Sequence, residues 1–298
     1  MLYRSVYAPV FRGLQHLGWH LTRNHFYSPI PDTRELPTQR FAEPSSLPGV
    51  DLGLEHQAEF FEDVVARFRP EYDAFPGERD PLAPNQYWYH NDWFTGIDAA
   101  VVWALVRHHR PKRVLEVGSG MSTRLFAGAL ATNQAGGAPA ARLQSIDPHA
   151  SDEMRAAQPP LTELITEPVQ ALPVALFEEL QSADILFVDS SHVLRAGSDV
   201  QFLFIEVLPR LKPGVFVHFH DVFLPYEYPR AWLTDLWRFW NEQYVLAAFL
   251  AFNRAFEVVW TSHAMHRSSP ARLAGAMNRY DPDAEVAGGS FWIRRVED

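Results

Sequence analysis

Val114-Leu115-Glu116-Val117-Gly118-Ser119-Gly120-Met121-Ser122-Thr123 is an apolar run that collapses into a glycine-bearing turn. The run reads as a buried parallel strand, and the turn opens a helix at Thr123-Arg124-Leu125-Phe126. Glycine belongs where a ligand must approach backbone that a side chain would shield. The turn does not complete the dinucleotide fingerprint G-x-G-x-x-G, because the third glycine would fall on Thr123. It carries instead an acid, Glu116, two residues before the first glycine.

Outward from this turn, strands and helices alternate. GIDAAVVWALVRHH (96–109) reads as a helix ahead of the strand at 113–117, and a second helix spans 122–132. RLQSID (142–147) is a second strand, 163–168 a third, ADILFVDSS (183–191) a fourth and KPGVFVHFHD (212–221) a fifth. Helices at 172–181 and 197–210 connect them. This alternation means a parallel sheet with right-handed crossovers. A helical run over 230–252 follows, and FEVVW (256–260) and SFWIRRV (290–296) are strands that close the sheet.

Upstream the texture changes. Residues 1–50 are rich in proline and turn residues, with a short aromatic helix expected at the start, packed on the body or on a partner. Residues 51–70 read helical, with Leu52, Leu54, Phe60, Phe61, Val64, Val65 and Phe68 at approximately helical spacing. Residues 70–94 form a long aromatic loop ending in Tyr87, Trp88, Tyr89, His90, Asn91, Asp92, Trp93 and Phe94, which either stacks on a ligand or plugs an apolar seam. The division expected is an extension over 1–90 and a catalytic domain over 91–298.

Bulk properties exclude several classes. The 298 residues carry a formal net charge of −10, which argues against a general nucleic-acid or membrane-surface binder. The basic cluster Arg107, Arg110, Lys112 and Arg113 reads as a solvated helix end. With no cysteine, disulfides, zinc–thiolate sites and cysteine nucleophiles are excluded. No apolar run approaches the roughly 20 residues that span a bilayer, and the start lacks a signal-peptide core, so a cytoplasmic location is expected.

Acids and histidines gather at the carboxyl ends of the strands, where open α/β sheets bind ligands. Asp147 ends the second strand and suits the two hydroxyls of a ribose; the alternative is a turn residue ahead of Pro148. Asp189 ends the fourth strand with His192 three residues on, a metal ligand beside a general base, or else a helix cap. His218, Phe219, His220 and Asp221 end the fifth, with His218 and His220 on one face and His218 expected to be a buried sheet histidine. Asp189 and Asp221, completed by His220 or water, suit a hard cation, while the imidazoles suit iron or manganese.

EVGSGMST, SIDPH, ILFVDSSH and PGVFVHFHDVFLP, in this order, resemble the class I S-adenosylmethionine-dependent methyltransferases over roughly residues 91–225. The likeness is greatest to the branch of macrolide-sugar O-methyltransferases and cephalosporin-hydroxylase-like proteins. It implies a Rossmann-like, mostly parallel seven-stranded sheet behind an N-terminal helical and aromatic extension. It implies that Glu116, Gly118, Ser119, Gly120, Ser122 and Asp147 hold S-adenosylmethionine. Asp189, His220 and Asp221 would hold magnesium, and His192, with Asp189, would act on the acceptor proton. Members of the branch place two acids after the fifth strand, whereas this chain has His220-Asp221.

The reaction expected is methyl transfer to a hydroxyl of a small polar acceptor, a sugar or natural product. Two rivals stand beside it: a metal-dependent oxygenase using Asp189, His192, His220 and Asp221, and a non-catalytic binding protein. The aromatics of 1–30 and 230–252 read either as a homo-oligomer interface or as core.

Overall fold

The computed structural model describes residues 7–156 and 162–297; Met1–Val6, the start of the proposed aromatic helix, lies outside them. Seven strands form one sheet in the order β3-β2-β1-β4-β5-β7-β6. They are β1 Arg113–Val117, β2 Arg142–Ile146, β3 Thr162–Ile165, β4 Ile185–Val188, β5 Phe216–Phe219, β6 Phe256–Thr261 and β7 Phe291–Arg295. β1 to β5 pair in parallel, and β7 enters antiparallel between β5 and β6. The order reverses at β1 and β4, which leaves a crevice beyond their carboxyl ends.

The central strands are apolar almost throughout because both faces are covered. On one face Val114, Leu143, Ile185, Phe187 and Trp292 pack with residues of the helices Gly96–His109 and Met121–Ala135. On the other, Leu115, Val117, Leu186, Val188, Val217 and Phe219 pack under the helical segment 199–210 and the helix Glu242–Leu250. The helix Gly96–His109 is buried over ten successive residues, Ile97 to Val106, which suits a helix apolar on nearly every side.

The helical segment 54–73 belongs to the same core. Phe61 stacks on Trp260 at 5.2 Å, and Val65 and Tyr72 are buried with Ile97 and Leu105. Packing therefore runs across residue 90. By contrast, the helix Ala8–His16 has no buried residue. In the aromatic loop, Tyr87 and Phe94 plug the core while Trp93 is exposed. Asn91 ties the plug: its Oδ1 accepts from the amides of Trp93 and Phe94, and its Nδ2 donates to the Phe94 carbonyl.

The helical run expected over 230–252 is broken. It forms two helices, Arg230–Thr234 and Glu242–Leu250, and Trp237 between them turns to φ 53°. Packing overrides the local pattern here. Trp232 and Trp240 meet at 5.2 Å over Phe223, Tyr228 and Leu233, which folds the chain back on itself. Between β6 and β7 lie two helices that sequence reading did not assign, Ser262–Ser268 and Pro270–Ala276.

Candidate active site

β1 and β4 leave the sheet side by side, with the Asp189 amide donating to the Val117 carbonyl at 2.9 Å. Gly118 follows at φ 107°, and a Cβ there would collide with the Asp189 carbonyl. Glycine is thus required by conformation and by close approach together. The consequence is a cavity of about 500 Å³ at the carboxyl ends of β1, β2 and β4, lined by Gly118, Ser119, Asp147, His149, Asp189 and Ser191 among others. A larger cavity of about 760 Å³ lies beside the edge strand β6, lined by Phe256, Glu257, Val258 and Phe216 and by none of these groups.

Glu116 lies beneath the turn and is fully buried. Parallel register sets it opposite Ser145 on β2. Its carboxylate accepts hydrogen bonds from Ser122 Oγ at 2.6 Å, Thr123 Oγ1 at 2.7 Å and Ser145 Oγ at 2.6 Å. Burial pushes this carboxyl up to about 7, against the pull of the three hydroxyls. Thr123 Oγ1 in turn accepts from the Gly120 amide at 2.9 Å. Glu116 and Ser122 thus hydrogen-bond to each other beneath the turn, while Gly118, Ser119 and Asp147 line the cavity. Asp147 accepts from Ser119 Oγ at 2.6 Å and from the His149 amide at 2.8 Å.

A second cluster adjoins the cavity through Asp189. His192 Nε2 lies 3.4 Å from Asp189 Oδ1 and 3.8 Å from Asp221 Oδ2. His220 Nδ1 lies 3.7 Å from Asp189 Oδ1 and 3.6 Å from Asp221 Oδ1. His192 and Asp221 both hold left-handed backbone, at φ 58° and 55°, which residues with a Cβ rarely adopt. His218 is fully buried, stacked on Phe187 at 3.9 Å and bonded through Nε2 to Ser290 Oγ at 2.9 Å. It is the buried sheet histidine that alternation predicts.

The charges interlock. Burial would lower His192, but hydrogen bonds to Asp189 and Glu242 push it up to about 10. Desolvation would raise Asp189, yet His220 and His192 hold it well below the ordinary carboxylate range. His220 is likewise raised, its burial outweighed by Asp221 and Asp189.

The expected magnesium ligands Asp189, His220 and Asp221 do gather at the carboxyl ends of β4 and β5. Among the described residues, no three His, Asp or Glu are arranged to hold a metal ion.

Three contributors were invisible in the sequence. Glu242, fifty residues beyond His192, accepts or shares a hydrogen bond with its Nδ1 at 3.0 Å. Trp240 packs its ring on His192 at 4.2 Å. Asp98, at the start of the helix Gly96–His109, faces His220 Nε2 at 3.7 Å and accepts from the amides of Gly289 and Ser290. No spacing rule joins these positions; only the folded sheet does.

Residues 115–222 match the family model Methyltransf_24, described as a methyltransferase domain. An uncharacterized protein of Archaeoglobus fulgidus is 29% identical over 182 residues, covering 58% of this chain and 80% of its own. Among solved structures, the S-adenosylhomocysteine-bound methyltransferase of Podospora anserina is similar, with 19% identity, 84% of this chain and 90% of that one covered, and a TM-score of 0.41. The O-methyltransferase of Bacillus cereus in complex with S-adenosylhomocysteine shows 13% identity, coverages of 82% and 91%, and a TM-score of 0.39. The sheet order itself, rather than these overlays, carries the fold. Residues 115–222 are thus similar to a methyltransferase domain, and that segment holds the turn at Gly118 and the strand ends at Asp147, Asp189 and Asp221.

Proposed function

We propose that the protein methylates a hydroxyl of a small polar molecule, a sugar or natural product, with His192 receiving the hydroxyl proton. One observation carries the reading: Asp189 both lines the 500 Å³ cavity and lies 3.4 Å from His192 Nε2, so donor and base share a wall. Gly118 and Ser119 would pass beside the amino-acid end of S-adenosylmethionine, and Asp147 would accept from its ribose hydroxyls. The cavity size and its half-buried carboxylates Asp147 and Asp189 fit such a molecule.

S-adenosylmethionine supplies, when bound, an electrophilic methyl group on a sulfonium. The acceptor oxygen forms the new bond to that carbon as the carbon–sulfur bond breaks with its electron pair going to sulfur. The hydroxyl proton passes to His192 Nε2. The chain's part is to hold both reactants in line and to receive that proton. A base must be neutral, whereas Asp189 and Glu242 hold His192 protonated in the protein alone. A sulfonium at the Asp189 end of the cavity offsets that field. No step of this reading runs through a metal.

The test is transfer from methyl-labelled S-adenosylmethionine to a panel of hydroxylated small molecules. The reading expects acceptor-dependent S-adenosylhomocysteine, one equivalent per methyl group found on oxygen. Methyl found on nitrogen or carbon, or no acceptor-dependent product across sugars and natural products, would overturn it.

A further inference from the structure

The proposed base does not stand alone. His192 lies in a strand-end segment with left-handed backbone, and three consecutive residues of a distant segment close around it. Trp240 lies against the ring at 4.2 Å. The amides of Asn241 and Glu242 both donate to the His192 carbonyl, at 3.1 and 3.2 Å. Asn241 Oδ1 accepts from the Leu194 amide at 2.6 Å, which clamps the backbone just beyond. Glu242 then meets the ring itself at Nδ1, 3.0 Å away. Glu242 is fully buried, and its other oxygen, Oε1, has no hydrogen-bond partner among the described residues. A buried carboxylate half without a partner is costly, so the position demands an explanation beyond packing.

We propose that Glu242 is the positioning residue of His192: it accepts the Nδ1 proton, fixes the ring's tautomer and turns Nε2 toward the gap between Asp189 and Asp221. This rests on the reading of His192 as base. A histidine has two ring nitrogens, and the hydrogen bond made by one decides what the other can do. With Nδ1 donating to Glu242, Nε2 is the nitrogen that takes a proton in the neutral ring. Trp240 blocks one ring face, and the paired amides of Asn241 and Glu242 stop the ring swinging away with its backbone. This explains why the 230–252 segment breaks where it does: a continuous helix would carry Glu242 elsewhere.

The experiment uses the full chain with its 13 histidines labelled with ¹⁵N, saturated with S-adenosylmethionine in the absence of acceptor so that the sulfonium is present, the His192→Ala spectrum identifying the His192 signals. Long-range proton–nitrogen correlation should show His192 Nδ1 protonated and hydrogen-bonded in the unaltered protein. Glu242→Gln should move those signals while S-adenosylhomocysteine affinity stays within about threefold, or 0.6–0.7 kcal/mol. With any hydroxylated acceptor that turns over, Glu242→Gln should lower kcat by about 10-fold or more with little change in KM, and Glu242→Asp should recover part of it. A bare Nδ1 in the unaltered protein overturns the proposal even if the variants do not fold. Unmoved signals in Glu242→Gln overturn it too. If His192→Ala keeps full methyl transfer, the reading of His192 as base fails instead, whatever the tautomer.

Discussion

At the residue scale, Glu116 decides what the glycine turn is made of. An acid two positions before Gly118 is visible in the sequence, and so is the strand-end placement of Asp147 and Asp189. Its task was not visible, because Ser145 reaches Glu116 only through the pairing of β1 with β2. Glu242 and Trp240 were hidden for the same reason: their contacts with His192 are tertiary. The burial of Glu116 has a measurable consequence. Its folded value near 7 stands above the ordinary 4.5, so the folded state holds the proton more tightly than the unfolded chain. That contribution to stability is complete below about pH 4.5 and is lost as pH rises through 7. Buried histidines such as His109 and His263, both pulled down to about 4 by burial, slope the opposite way, so a difference between variants is the clean readout. Denaturant unfolding of the unaltered protein and Glu116→Gln at pH 5 and pH 8 should show the variant gaining relative stability at the higher pH, on the order of 3 kcal/mol at most. A stability difference that does not vary with pH would contradict the account.

At the element scale, β1 and β4 depend on one contact. Gly118 lets their ends leave the sheet together, and an alanine there must push the Asp189 backbone aside. Gly118→Ala should lower S-adenosylhomocysteine affinity by about 10-fold or more and cost roughly 2–3 kcal/mol of stability, because both conformation and space are violated. Calorimetry and urea unfolding read the two separately; unaltered affinity would mean that the turn does not form the cavity wall. Elements with a strong local pattern were readable in advance. The helix Gly96–His109 has the bounds that its apolar sequence announces, and all seven strands fall within a few residues of their expected places. The 230–252 segment defied its pattern because the Trp232–Trp240 contact and the clamp on His192 outweigh helical propensity. The helices Ser262–Ser268 and Pro270–Ala276 carry too little periodicity to be seen alone.

At the scale of the whole molecule, strand–helix alternation predicts a parallel sheet, but periodicity alone does not say that β7 slots between β5 and β6. That insertion brings Gly289 against Asp221 and Ser290 against His218, so the closing strand completes the site. No helix among the described residues is long and apolar enough to cross a membrane. Leu17, Trp19, Phe26 and Tyr27 are exposed, and the helix Ala8–His16 buries nothing. A chain beginning at Ser28 should therefore keep its Tm within about 3 °C and its S-adenosylhomocysteine affinity unchanged. A larger fall in Tm, measured by calorimetry beside light scattering, would show that these residues cover a surface in the assembled protein. The central claim is that the carboxyl ends of β1, β2 and β4 form a working donor cavity. Its most direct test is titration calorimetry of the full chain with S-adenosylhomocysteine, after chelation and again with magnesium. Saturable one-to-one binding of micromolar strength is expected in both conditions, weakened about 10-fold or more in Gly118→Ala; a folded chain that binds nothing in either condition would contradict it.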